Sequence, residues 1–254
     1  MSKTTLLLRT LLSSALVLFP ALLCAADIHL AVASNFSATM NSLAKQFEAN
    51  SSHRLVLSFG STGKQYAQIV NGAPFDAFFA ADSERPHLLE KEGRTTGQGR
   101  FTYARGRLVL WSALPGFVDE LGGVLENGDF RHLAIANPRL APYGAAARQA
   151  LERLGLWQSL QPRLVRGENI GQTFQFVRSG NAELGFVAKS QLIGADLADS
   201  GSYWPVPVFL HDPIDQQVAQ LTDSEAVRTF LAFVQSAMGR QIISEHGYDL
   251  PDAD

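Results

Sequence analysis

The sequence is short of the residues from which most reactive sites are built. A single cysteine, Cys24, stands among 254 residues, which excludes a disulfide framework and any cysteine-rich metal site. His29, His53, His87, His132, His211 and His246 are scattered without metal-ligand spacing. Only His211-Asp212 suggests acid–base work, and a crossover loop explains that pair as well. No Gly-x-Ser-x-Gly elbow occurs, so a secreted serine hydrolase is a remote alternative and no enzyme is expected. Charge of one sign is lacking too. A net charge of −3 with both signs interspersed offers no basic surface to nucleic acid or an anionic membrane. Internal repeats, low-complexity tracts and flexible linkers are also missing.

One segment is of a different material from the rest. Lys3 and Arg9 are basic, residues 11–23 are almost wholly apolar, and Cys24-Ala25-Ala26 puts small residues before Asp27. This is the pattern of a secretory signal peptide over residues 1–26, cleaved after Ala25 or Ala26. The apolar run is short for a transmembrane span. A lipid anchor on Cys24 is the alternative, against which stands bulky Leu23 where such a site takes a small residue. The expectation is an exported, soluble chain that loses its only thiol with its leader.

What the sequence does have is a succession of strand–turn–helix units. Its 46% hydrophobic and 18% charged residues are ordinary for a globular protein of one large or two modest domains. Residues 55–57 read as a short buried strand, Ser58-Phe59-Gly60-Ser61-Thr62-Gly63 as a turn, and residues 64–70 as a helix. Asn71-Gly72-Ala73-Pro74 stops that helix, and residues 77–81 form another strand. Such a turn sets backbone N–H groups and hydroxyls at the positive end of a helix dipole, where an anion can sit. It lies at the carboxyl end of a strand, where open α/β sheets bind ligands. Plain helix capping by Ser and Thr is the competing reading. A nucleotide P-loop is excluded, because Ser58 and Gln65 stand where that motif needs Gly and Ser or Thr.

The unit recurs along the chain. Residues 28–33 read as a first strand, followed by Ser34-Asn35-Phe36-Ser37 and then Met40, Leu43, Ala44 and Phe47 at helical spacing. Residues 84–91 read as a surface helix. Residues 101–111 form a long extended stretch with Gly106 in its middle, able to pass between domains, and Trp111 there reads as packing. A strand ending at Ile135 leads through Ala136-Asn137-Pro138 and Ala141-Pro142-Tyr143-Gly144 into a helix over residues 145–154. Residues 163–166 read as a strand, Glu168-Asn169-Ile170-Gly171-Gln172 opens a helix over 173–177, and residues 182–187 are the next strand. Residues 205–210 cross back, and one closing helix runs from Ser224 through Met238, extended by residues 239–243. Several polar helix starts aimed at one point strengthen the anion reading against plain capping.

Taken in this order, the segments resemble the molybdate-binding proteins of ATP-binding-cassette importers, within the type II periplasmic binding-protein fold. The resemblance spans nearly the whole mature chain. It is carried by Ala33-Ser34-Asn35-Phe36, Ser58-Phe59-Gly60-Ser61-Thr62-Gly63, Gln68-Ile69-Val70-Asn71-Gly72-Ala73-Pro74 and Phe78-Phe79-Ala80-Ala81-Asp82. Ala136-Asn137-Pro138 with Ala141-Pro142-Tyr143-Gly144, Leu184-Gly185-Phe186-Val187 and Gly247-Tyr248 complete it.

The resemblance implies an α/β protein of two lobes, each a mixed sheet flanked by helices, joined by two crossover strands. The first lobe would comprise residues 27–106 and 208–254, the second residues 107–207. It implies a periplasmic monomer that binds molybdate or tungstate without a cofactor or metal cation and docks on a membrane permease with its ATPase. Carried over by motif, the ligands are Ser34 or Asn35, Ser61 or Thr62, and the main-chain N–H groups of Tyr143 and Ile170. Some relatives place a Tyr where this chain has Val187-Ala188-Lys189, and Asn35 would replace that missing hydroxyl.

A tetrahedral dianion without protons only accepts hydrogen bonds, so its site should hold donors alone, as N–H, hydroxyl and Asn amide groups are. Phosphate near neutral pH keeps a proton and gains from a carboxylate acceptor. None of the turns centres on an acid, although Glu168 is close to one. The donor chemistry therefore favours molybdate, tungstate or sulfate, and leaves the choice between sulfate and the larger ions to pocket size.

Overall fold

The structure, a computed structural model, describes residues 25–197 and 199–251. The leader read over residues 1–26 lies outside it up to and including Cys24. Within the described residues no helix is long and apolar enough to cross a membrane.

The chain begins with strand β1 (Asp27–Ala33), a 3-10 turn over Ser34–Phe36, and helix α1 (Ser37–Glu48). Met40, Leu43, Ala44 and Phe47 form the buried stripe of α1, as their spacing requires. Next come β2 (Arg54–Gly60), α2 (Thr62–Val70), β3 (Ala77–Phe79), α3 (Glu84–Lys91) and β4 (Arg100–Gly106). β2 is longer than the three residues expected of it, and of those only Leu55 is buried. It is the outermost strand of its sheet, so half of its surface faces solvent and the apolar signal fades after Leu57.

At Gly106 the chain leaves the first sheet, and β5 (Leu108–Ser112) enters a second one. There follow α4 (Val124–Asn127), β6 (Leu133–Ala136), α5 (Pro142–Arg153), α6 (Trp157–Leu160), β7 (Leu164–Gly167), α7 (Ile170–Arg178), β8 (Leu184–Ala188), α8 (Lys189–Gly194) and β9 (Ser202–Pro205). The return to the first sheet is made by β10 (Ile214–Gln220), after which α9 (Glu225–Gln235) and α10 (Ala237–Glu245) end the fold.

Each sheet has five strands, in the orders β2-β1-β3-β10-β4 and β7-β6-β8-β5-β9. Both are mixed. β1, β2 and β3 run parallel while β10 is antiparallel to its neighbours, and β5 is the antiparallel strand of the second sheet. Parallel strands joined through helices leave their carboxyl ends on one edge, which is where a ligand would be met.

α2 starts at Thr62, two residues before the expected 64, and three other helix boundaries differ from expectation for local reasons. α5 starts at Pro142 rather than Ala145, because proline is preset for the first helical position and needs no N–H there. α7 starts at Ile170 rather than Thr173, because the Asn169 side chain accepts from Gln172 N at 2.9 Å and caps it. The single closing helix is two helices, broken at Ser236, whose backbone is extended with ψ 163°. Ser236 then caps α10 by accepting from Gly239 N at 3.2 Å.

The first lobe closes around aromatic rings. Phe36 meets Tyr103 at 4.8 Å and Tyr248 at 5.3 Å between centroids. Phe36 therefore packs beneath the first turn. Trp111 is buried in the second lobe with its ring 5.3 Å from Phe174.

Candidate functional site

The turns after β1, β2, β6 and β7 converge where the two sheets face each other. Their residues line one small cavity of about 10 Å³, walled by Ala33, Ala81, Ala141 and Pro142 among others. Ser34, Asn35, Ser61, Thr62, Tyr143 and Ile170 all border it, so the residues singled out from sequence meet at one place. Its volume is below that of sites for drug-sized solutes.

The capping reading can be checked bond by bond. Ser61 holds the N-cap position of α2, yet its side chain makes no cap bond. Its Oγ is buried and has no hydrogen-bond partner within the protein. A hydroxyl in that condition is costly unless something else uses it. Thr62 is different. Its Oγ1 accepts from Ala81 N at 3.1 Å, which fixes the side chain and leaves the hydroxyl proton for another acceptor. Ser34 Oγ likewise accepts from Gly171 N at 3.2 Å, a bond that joins the two lobes.

Asn35 commits its amide inside the protein, Nδ2 donating to Gln216 Oε1 at 2.9 Å and to Tyr248 OH at 3.0 Å. The ring of Tyr143 neither covers the pocket with its hydroxyl nor stands free in the cleft. Its OH accepts from Gln216 Nε2 at 3.2 Å and lies against the crossover at Gly106, where an added Cβ would fall 2.1 Å from it. Tyr143 and Ile170 stand at the starts of α5 and α7, where main-chain N–H groups have no carbonyl one turn back.

No carboxylate lines this pocket. Glu168, the acid nearest to a turn, forms an exposed ion pair with Lys64 of the other lobe. Burial pushes the phenols of Tyr103, Tyr143 and Tyr248 above the ordinary tyrosine range, so all three stay neutral near pH 7. Among the described residues no group of His, Cys, Asp and Glu could hold a metal ion. The His211-Asp212 pair is not arranged for catalysis: His211 Nδ1 faces the Asp212 main-chain oxygen at 2.7 Å. The Asp212 carboxylate instead meets Arg153 and Gln149.

The lobes touch around the pocket. Gly63 N donates to Leu140 O at 2.8 Å, and Arg85 Nη2 donates to Arg139 O at 3.2 Å. Ser190 Oγ, from the start of α8, donates to Asn35 O at 3.1 Å. Sequence reasoning missed Ser190, Gln216 and the hydroxyl of Tyr248. For Gln216 a signal existed: Ile214, Gln216, Val218 and Gln220 alternate onto the buried side of β10, and a glutamine at a core position of a strand is unusual.

The profile of the family described as bacterial extracellular solute-binding protein matches residues 28–249. Azotobacter vinelandii has a relative, the molybdate-binding protein ModA, that is 49% identical over 89% of this chain and 91% of its own length. A ModA of Rhodobacter capsulatus is 42% identical over 88% of each chain. The solved structure of the Azotobacter vinelandii periplasmic molybdate-binding protein superimposes with a TM-score of 0.85 and 43% identity, covering 89% of this chain and all of that one. These relatives are binding proteins, and the matches cover nearly nine-tenths of this chain. The chain belongs to the bacterial extracellular solute-binding protein family, in its branch of periplasmic molybdate-binding proteins.

Proposed function

We propose that this protein binds molybdate, and tungstate with it, in the pocket between its lobes and delivers the ion in the periplasm to the permease and ATPase of an ATP-binding-cassette importer. It does so as a monomer, without a cofactor and without catalysis. The observation that carries the reading is Ser61, a buried hydroxyl without a partner in a pocket free of carboxylates.

The ligands are then Ser34, Asn35, Ser61 and Thr62 of the first lobe with the main-chain N–H groups of Tyr143 and Ile170 of the second. Hydroxyls of Ser34 and Thr62 that already accept one bond donate the other way, and accepting strengthens donating. The helix starts contribute oriented dipoles instead of a basic side chain. That matters for a protein of net charge −3, because the attraction is local and vanishes for an ion that does not fit. Closing the lobes removes water and strengthens every bond inside.

The test is calorimetric titration of the mature chain with molybdate, tungstate, sulfate and phosphate in a buffer free of phosphate. Tight one-to-one binding of the first two alone is expected. Sulfate binding as tightly would reassign the site to that ion, and silence of all four would return the turns to plain helix capping.

Two further results are expected from the same assay. Thr62→Ala removes one bond to a charged ligand and should weaken molybdate binding by about 1.5–3 kcal/mol. Unchanged affinity would strike Thr62 from the ligand set. Affinity should also be flat between roughly pH 6.5 and 9, since the buried phenols titrate above their usual range and no carboxylate or histidine borders the ion. A slope in that window would reveal a titrating ligand.

A further inference from the structure

Buried groups outside the proposed ligand set converge on the amide of Asn35. Gln216 is completely buried and stands at a bulge, where the register of β10 against β4 shifts between Gln216 and Gln217. Bulges re-aim side chains and are common beside sites. Gln216 Oε1 accepts from Asn35 Nδ2 at 2.9 Å and from Tyr103 OH at 3.1 Å, while its Nε2 donates to Tyr143 OH at 3.2 Å. Tyr248 OH accepts from Asn35 Nδ2 at 3.0 Å and donates to Asn35 O at 2.9 Å. Both N–H bonds of the Asn35 amide are thus engaged within the protein, and Oδ1 is the amide atom outside these bonds. For an ion that only accepts, that is the wrong polarity.

The same groups have a second complete arrangement. With both amides rotated by half a turn, Gln216 Nε2 donates to Asn35 Oδ1 and to Tyr103 OH. Tyr103 keeps its bond to Ala80 O, now 3.0 Å. Gln216 Oε1 accepts from Tyr143 OH, and Tyr248 OH donates to Asn35 Oδ1. The Asn35 main-chain oxygen retains Ser190 Oγ, now at 3.1 Å. Every donor still finds an acceptor except Asn35 Nδ2, which is released. All the groups are neutral amides and phenols, so the reversal moves no net charge through a buried space.

We propose that Gln216 and Tyr248 are positioning residues that set the direction of the Asn35 amide, and that the bound anion selects the arrangement presenting Asn35 Nδ2 to the pocket. This rests on the anion-binding reading above. Because Tyr143 reaches Gln216 from the second lobe, the direction of the amides is tied to lobe closure. The structure shows the acceptor-outward arrangement of Asn35, and holding the ion fully would reverse both amides.

The test is calorimetric titration of molybdate into the wild type, Gln216→Met, Tyr248→Phe, Asn35→Ala and the two double variants with Asn35→Ala. Each single change is expected to weaken binding by about tenfold or more. In the Asn35→Ala background, Gln216→Met and Tyr248→Phe should each add less than about a factor of two, because coupled residues do not add. Equal weakening in both backgrounds would mean that they act on the fold and would overturn the proposal. Should Gln216→Met fail to fold, the wild type supplies a second reading. The side-chain NH2 resonances of Asn35 and Gln216 should shift together on molybdate addition, and an unmoved Gln216 pair overturns the proposal. A wild type that binds while the variants match it overturns the positioning role alone. A wild type silent to every oxyanion removes the binding reading and this proposal together.

Discussion

Ser61→Ala should leave the empty protein as stable as the wild type or more so, while molybdate affinity falls by about ten- to a hundredfold. The opposite signs come from one atom. In the empty protein Ser61 Oγ is buried without a partner, so its desolvation counts against folding and Ala removes that burden. In the complex the same hydroxyl would donate to a dianion, and Ala removes a charge-assisted bond. The two readouts are a thermal melt without ligand and a calorimetric titration. A fall in both Tm and affinity would show that Ser61 already has a structural partner, and the case for an anion at that spot would weaken with it. Loss of affinity alone, at an unchanged or raised Tm, is what a hydroxyl reserved for a ligand predicts.

Gly144→Ala should cost stability and affinity together. A Cβ on Gly144 would lie 2.2 Å from Ala136 O and 2.7 Å from Ala136 C. These are backbone atoms of β6, which cannot step aside as a flexible side chain would. The first turn of α5 must therefore lift from the strand, at a cost of about 1–3 kcal/mol, typical of overpacking. That lowers Tm by several degrees at about 2–4 °C per kcal/mol. It also displaces the main-chain N–H of Tyr143 from the pocket. Titration of the folded variant should show weaker molybdate binding at temperatures well below its melting point. An affinity equal to wild type in a protein of lowered Tm would mean that the start of α5 plays no part in the site.

How far the sequence could be read depends on which signals are local. The turns were legible because Ser61-Thr62-Gly63 and Asn169-Ile170-Gly171 sit between apolar runs, and the structure brings Ser61, Thr62 and Ile170 from them to one pocket. The helix starts at Pro142 and Ile170 were placed three residues late, since periodicity sees buried side chains and not the main chain that precedes them. The break at Ser236 was invisible for the same reason: apolar spacing continues across it. Gln216 and Ser190 were missed because their partners lie far along the chain. Gln216 bonds Asn35 across 181 positions and Ser190 reaches it across 155, and no local pattern encodes such a meeting. Tyr143 shows a further limit. Its motif speaks only for its main chain, and nothing local tells that its hydroxyl serves the crossover at Gly106 and the amide of Gln216.

The position of β10 has a consequence in time. It lies between β3 and β4 in the first sheet, although nearly all of the second lobe separates it from them in the chain. Everything the second sheet needs, from β5 to β9, is present once residue 205 has emerged. The first sheet must wait for residues 214–220 before β4 has any neighbour. A chain leaving the ribosome or crossing a membrane therefore completes its second half first. The first sheet stays divided, with two unpaired strand edges open to misassembly, until the last sixth or so of the sequence begins to arrive. Mutations in β10 at positions other than Gln216 should accordingly act on yield and aggregation during production more than on the affinity of the molecules that do fold.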